Sequence, residues 1–280
     1  MNDIPVYNSK LKWLILGAGF AFLYLPILIL IIYSFNENRL VTVWSGFSFK
    51  WYSELLQDDL LMGGVKLSLI IGFLSASAAV VLGIIAAFVL NRFGKFKGET
   101  GFAFMITAPL VMPEVITGLS LLLLFIAMGQ AFDIFSQRGM MTIWIAHVTF
   151  CTAYVTVVVS SRLQEVDRSI EEAAMDLGAP PWKVFFQITL PSIAPAILAG
   201  WLLAFTLSLD DLVIASFVSG PSATTLPMVV FSSVRLGVSP KINALATLTI
   251  LAVSCATFIA WWLMAKAEKR RLLEMKMSQQ

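Results

Sequence analysis

The sequence predicts an all-α integral membrane protein with six transmembrane helices, and three observations predict it. Of 280 residues, 59% are hydrophobic and only 13% are charged, against about 25% charged in a soluble domain; mean hydropathy is +0.86. A helix needs about 20 apolar residues to cross the hydrocarbon core, and six stretches meet that demand: 13–35, 67–90, 102–130, 140–161, 196–218 and 242–265. The basic residues between them are unevenly divided. Thirteen of the 19 Lys and Arg fall on the side shared by both termini, which the positive-inside rule makes cytoplasmic.

The first span follows Lys10 and Lys12. Its apolar run is longer than a signal-peptide core and no A-x-A-like site follows, so a retained helix is expected. It joins an external loop within an amino-terminal section, 1–64. Trp44, Trp51 and Tyr52 in that loop are expected at the membrane interface, with a place near bound substrate as the alternative. A five-helix core, 65–265, and a basic cytoplasmic tail, 266–280, complete the chain. The second span carries Gly72, Ala76, Ala79, Gly83 and Ala87 at steps of three and four, a pattern that lets helices pack closely in lipid. Pro109 and Pro113 are expected to bend the third. His147 in the fourth is expected to be a buried hydrogen-bonding residue rather than a proton relay. Residues 225–235 are too few to span; they predict a short external helix capped by Thr225, with Pro227 in its first turn.

Cys151 and Cys255 both lie in apolar runs and read as packed side chains. With a single histidine they make no metal site. A net charge of +2 gives no footprint for nucleic acid. No GxxxxGK[ST] loop occurs, so the chain itself cannot hold ATP in the Walker manner, and no cofactor is expected.

Three carboxylates lie inside the spans: Glu114, Asp210 and Asp211. A charge there costs on the order of 2.5–3.5 kcal/mol on insertion scales, so all three should avoid lipid. Helical rise puts Glu114 ~18 Å and Asp210 ~21 Å from the inner ends of their spans, past the middle toward the outside. Asp211 shares a small, polar stripe with Gly200, Ala204, Ser208 and Ala215. Asp210 shares a greasier one with Leu203, Thr206, Val213 and Phe217. Glu114 and Asp211 are therefore expected on a pathway, with Asp210 left for capping, helix pairing or a contact between subunits. Fixed negative charge would favour cations. The alternative is that the acids satisfy polar partners between helices.

A polar island, residues 169–191, separates the fourth and fifth spans. Ser169 and Glu172 have the spacing of a capping box. Ile170, Ala173, Ala174 and Leu177 share a face. Gly178 suits a C′ position, and Pro181 can open a second short helix. Glu171, Glu172 and Asp176 surround a smooth spot at Ala173 and Ala174. On these residues alone a solvated loop and a docking element are equally open.

The run Glu172-Ala173-Ala174, Gly178, then Ile188-Thr189-Leu190-Pro191 resembles the EAA signature of type I ABC importer permeases. The stretches AFMITAPLVMPEVITGLSLLLLF and LLAFTLSLDDLVIASFVSGP are similar to polyamine permeases of that family. The resemblance implies that Glu172, Ala173, Ala174, Gly178, Ile188, Leu190 and Pro191 belong to a coupling element seated on a cytoplasmic ABC ATPase dimer. It further implies a second homologous permease subunit, a periplasmic polyamine-binding protein, a bacterial inner-membrane location and a polyamine cargo, putrescine first. A stand-alone cation channel or gradient-driven carrier is the competing reading; it fits the acids but has no need of the hairpin.

Overall fold

The computed structural model describes residues 9–40, 43–135, 137–237 and 239–277. Among them the regular secondary structure is all helical, apart from one isolated bridge between Asn36 and Phe47. In order the helices are α1 (Ser9–Ser34), α2 (Lys50–Leu56), α3 (Asp59–Arg92), α4 (Glu99–Val111), α5 (Glu114–Phe132) and α6 (Met140–Glu165). Then follow α7 (Arg168–Asp176), α8 (Pro181–Val184), a π-helical turn (Phe185–Thr189), α9 (Leu190–Asp210), α10 (Val213–Val218), α11 (Leu226–Leu236) and α12 (Pro240–Met277). Six stretches are long and apolar enough to cross a membrane: Leu11–Ser34, Asp59–Arg92, Glu114–Phe132, Met140–Glu165, Pro181–Asp210 and Pro240–Ile259. The chain divides into two compact units, one from Leu60 to Ser232 and one made of the two ends, up to Asp59 and from Ser233.

The larger unit is built around α6, whose Ile143, Ala146, Ala153, Val155 and Val159 are fully buried. It packs most extensively against α9. The small-residue stripe of α3 does what its spacing predicts: Ala76, Ala79 and Ala87 are fully buried. A Cβ on Gly72 would stand 3.2 Å from the Phe205 ring of α9, and one on Gly83 would stand 2.6 Å from Val155 Cγ1 of α6. Backbones can approach so closely only where side chains are absent. Large apolar side chains such as Phe73, Ile85, Leu123 and Leu198 point outward, the arrangement lipid favours.

In the unit of the chain ends, α12 packs against α1 and α2. Asn36 organises the external loop. Its Nδ2 donates to the Val43 carbonyl at 2.7 Å, and its Oδ1 accepts from the Ser45 amide at 3.0 Å. Trp51 is not an interfacial residue as expected: it is buried, and its Nε1 donates to the Asn36 carbonyl at 2.6 Å. Tyr52 Oη pairs with Ser34 Oγ at 2.7 Å, while Trp44 is exposed. Lys241 of α12 pairs with Asp58 Oδ2 at 3.1 Å.

Four further expectations change. The third apolar run is broken: α4 ends at Val111, Met112 and Pro113 are extended, and α5 starts at Glu114, because the residue before a proline avoids the helical region. The fifth run starts further in, at Pro181, and stops at Asp210, with Asp211 extended. Hence the second short helix of the polar island is the first turn of span five. Thr225 does not cap α11 with its side chain; its hydroxyl is buried without a partner, and Ser68 Oγ of α3 accepts the Leu226 amide at 2.8 Å instead. The sixth helix continues to Met277, so the expected tail from 266 is helical as far as the described residues reach; residues 1–8 and 278–280 lie outside them.

Gly83→Ala should lower the thermal stability of the purified chain in detergent by about 1–3 kcal/mol, the usual cost of overpacking. Adding Val155→Ala should recover much of that loss, as read by thermal unfolding.

Candidate functional site: a two-acid cavity and a cytoplasmic knob

The two helix breaks meet at one cavity of about 400 Å³, lined among others by Glu114, Thr117, Phe150, Tyr154, Asp210 and Asp211. The three acids expected inside the spans are thus brought together, but their roles differ from expectation. Glu114 is the first residue of α5 and is exposed to the cavity. There the helix N-terminus favours its charge. Asp210 is the last residue of α9 and is likewise exposed. An anion at a C-terminus is disfavoured by the helix dipole, and among the described residues no hydrogen bond or ion pair compensates it. The cavity therefore holds two carboxylates without protein partners, beside the rings of Phe150 and Tyr154.

Asp211 is buried and already occupied. It accepts the backbone amides of Ile214 at 3.2 Å and Ala215 at 2.7 Å, which caps α10. Its Oδ2 lies 3.1 Å from His147 Nε2, and His147 Nδ1 lies 2.6 Å from Ser208 Oγ. A carboxylate oxygen accepts, so Nε2 donates to Asp211, while Nδ1 pairs with the Ser208 hydroxyl. His147 is buried and hydrogen-bonded, as expected. Asp211 lines the cavity with Glu114 and Asp210, but it is buried and also caps α10, whereas the capping expected of Asp210 is not seen and Asp210 is exposed. The small stripe of Gly200, Ala204 and Ser208 is a packing seam, all three buried. Sequence gave no sign that Ser208, His147 and Asp211 would meet, since 61 and 64 residues separate the pairs. The trio has the residue types of a nucleophilic triad, yet Ser208 and His147 are sealed at 4% and 1% exposure. It ties α6 to the break between α9 and α10 and offers no access to a substrate.

The polar island forms a knob. Asp167, not Ser169, is the N-cap of α7, accepting the Ser169 amide at 2.9 Å. That bond holds its carboxyl below the usual carboxylate range. The capping box of Ser169 and Glu172 does not form, because the helix begins a turn-position earlier. The C-terminal end follows the sequence. Gly178 has φ +86°, its amide bonds to Met175 O at 2.9 Å, and the Ala179 amide bonds to Ala174 O at 3.0 Å, the paired closure that requires a left-handed residue. Glu172, Ala173 and Gly178 are exposed and Ala174 is half-buried. The apolar face points away from the bundle, with Leu177 90% and Trp182 67% exposed. At the root of α9, Ile188 and Leu190 are half-buried and Pro191 is exposed. The one buried residue of α7 is Glu171, held by Arg92 and Thr189, a contact between residues 79 and 18 positions apart that no local pattern announces.

Six candidate spans, a cavity where two helices break and an outward apolar knob frame the comparison with known proteins. The family of binding-protein-dependent transport system inner membrane components matches residues 79–272, and the chain belongs to that family. The putrescine transport system permease protein PotI of Escherichia coli (strain K12) is 68% identical over 276 residues, spanning 99% of this chain and 98% of that protein. The spermidine/putrescine transport system permease protein PotC of the same strain is 41% identical over 249 residues, spanning 89% and 91%. A chain from the crystal structure of a bacterial ABC transporter involved in the import of the acidic polysaccharide alginate superposes with a TM-score of 0.72 at 16% identity, covering 91% of this chain and 98% of its own. That likeness shows the fold. These relatives are transport permeases, and the chain is a multi-pass inner-membrane protein of the same kind.

Asp211→Ala should destabilise the chain by about 2 kcal/mol, since it removes a helix cap and strands a buried imidazole. Asp210→Asn and Glu114→Gln should leave thermal unfolding within about 0.5 kcal/mol, as changes at exposed positions do.

Proposed function

We propose that this chain is the permease subunit of an ATP-driven importer of a small polyamine, most directly putrescine. The observation that carries the reading is the pair of unpartnered carboxylates, Glu114 and Asp210, facing one cavity at two helix breaks. A flexible dication neutralises both acids at once, and its methylene chain lies against Tyr154 and Phe150, where an ammonium near a ring face gains cation–π attraction. A neutral or anionic cargo finds no such complement there. The names of the relatives at 68% and 41% identity support the same cargo class.

Energy enters from outside the chain. A separate cytoplasmic ABC ATPase dimer binds and hydrolyses ATP, and its surface receives the knob through the exposed Glu172–Gly178 face. Ile188, Leu190 and Pro191 carry that contact into span five. Six spans enclose a passage with the help of a second, homologous permease. A periplasmic binding protein delivers the cargo at the external loops. Both termini face the cytoplasm in this reading, which the bias of 13 among 19 basic residues supports. No cofactor of its own takes part, and nucleic acid has no role.

In proteoliposomes holding the complete importer, Glu114→Gln and Asp210→Asn should each raise the putrescine concentration for half-maximal uptake about tenfold, equivalent to ~1.4 kcal/mol. Normal uptake kinetics in both would remove the cation assignment. Gly178→Val should abolish coupled uptake, because a β-branched residue in the left-handed region strains the turn by ~1–2 kcal/mol. Uptake by the chain reconstituted alone would overturn the need for a partner ATPase.

A further inference from the structure

We propose that Arg92, Glu171 and Thr189 form an ion-pair hinge that hands displacement of the knob to the membrane spans. This rests on the reading of the knob as the ATPase seat and adds how its motion is transmitted.

The first observation is how α7 is attached. Its single buried side chain is a carboxylate, while its apolar residues Ile170, Met175 and the adjoining Leu177 face outward. α7 itself is therefore not held by a greasy face; the apolar anchors of the knob, buried Val184 and the Phe185 ring 5.0 Å from Phe88 of α3, lie on the elements that follow it. Glu171 instead takes a two-pronged grip: Arg92 Nε donates to Oε2 at 2.9 Å and Nη2 to Oε1 at 3.2 Å, and Thr189 Oγ1 donates to Oε1 at 2.9 Å. The Arg92 and Glu171 side chains are only 9% and 10% exposed. A forked guanidinium–carboxylate pair fixes orientation as well as distance, and shielding from water protects it from screening.

The second observation is where the partners sit. Arg92 is the last residue of α3. Its neighbour Asn91 bonds through Nδ2 to Ser160 Oγ of α6 at 2.5 Å, so a pull on this end of α3 reaches α6 as well. Thr189 is the last residue of the π-helical turn that leads into α9. A π-helical turn interrupts the regular α-helical ladder and recurs at functional sites. One carboxylate thus clamps the knob to the end of one spanning helix and to the π-helical root of another. When the knob tilts, α3 and α9 must turn together, and α9 carries Asp210 at its far end.

The test uses the complete importer, with ATPase, second permease and binding protein, in lipid nanodiscs and proteoliposomes. Putrescine imported per ATP hydrolysed is measured for Glu171→Gln, Arg92→Glu and the exchanged pair Arg92→Glu/Glu171→Arg. The single variants should assemble and hydrolyse ATP while that ratio falls roughly tenfold, within the usual span of a coupling free energy. The exchanged pair, with attraction restored, should recover most of the ratio. A wild-type ratio in Glu171→Gln overturns the proposal. So does loss of assembly in the single variants that the exchange fails to repair, the mark of a purely structural pair. An Ala173→Cys cross-link to the ATPase separates the two levels. If it fails in the otherwise unaltered complex, the seat itself is wrong and the hinge falls with it. If it forms while Glu171→Gln transports normally per ATP, only the hinge is wrong.

Discussion

Inside hydrocarbon no backbone amide or carbonyl can be left open, and the form of this permease follows from how it meets that demand at two interruptions. The third and fifth apolar runs are both interrupted, at Met112–Pro113 and at Asp211–Leu212. The amides freed at the start of α10 are taken by Asp211, which in turn needs a donor and finds it in His147. His147 completes its ring with Ser208. A short buried relay of polar groups thus stabilises an opening in the helix ladder. The opening is what gives α5 and α9 ends that face a common space, one end bearing Glu114 and the other Asp210.

On the cytoplasmic side the usual amphipathic logic is inverted. An isolated short helix normally turns its apolar stripe inward, yet α7 turns a carboxylate inward and leaves Ile170, Met175 and Leu177 outside. Exposed apolar surface of this sort marks an interface. The inward acid is affordable because Arg92 and Thr189 meet it fully. Grip on the bundle and contact with a partner are thereby assigned to opposite faces of a nine-residue helix.

Much of the fold was legible because its signals are local and long. Length and apolarity gave the six spans, small residues at steps of three and four gave the α3 seam, and a glycine followed by two prolines gave the left-handed closure at Gly178. The site was half legible: charge in an apolar run pointed to Glu114, Asp210 and Asp211. The division of labour among the acids was not, because the rotation argument assumed one continuous helix across 196–218, and the break at Asp211 resets the phase. The small, polar stripe of Gly200, Ala204 and Ser208 is a buried packing seam. Trp51 was misread for a different reason: its partner is a backbone carbonyl at Asn36, invisible to any pattern of side chains. The Arg92–Glu171 pair left no trace either, since a long-range ion pair is specified only once the helices are in place.

Asp210 and Asp211 are adjacent in sequence yet answer to different demands. Asp211 is locked into the scaffold, so any change there threatens the whole bundle. Glu114 and Asp210 are exposed and cap nothing, and a lineage could exchange them at little risk to folding. The architecture thereby separates the grammar of the scaffold from the vocabulary of its cargo, and a protein so built can be re-addressed to a new solute by a handful of local substitutions.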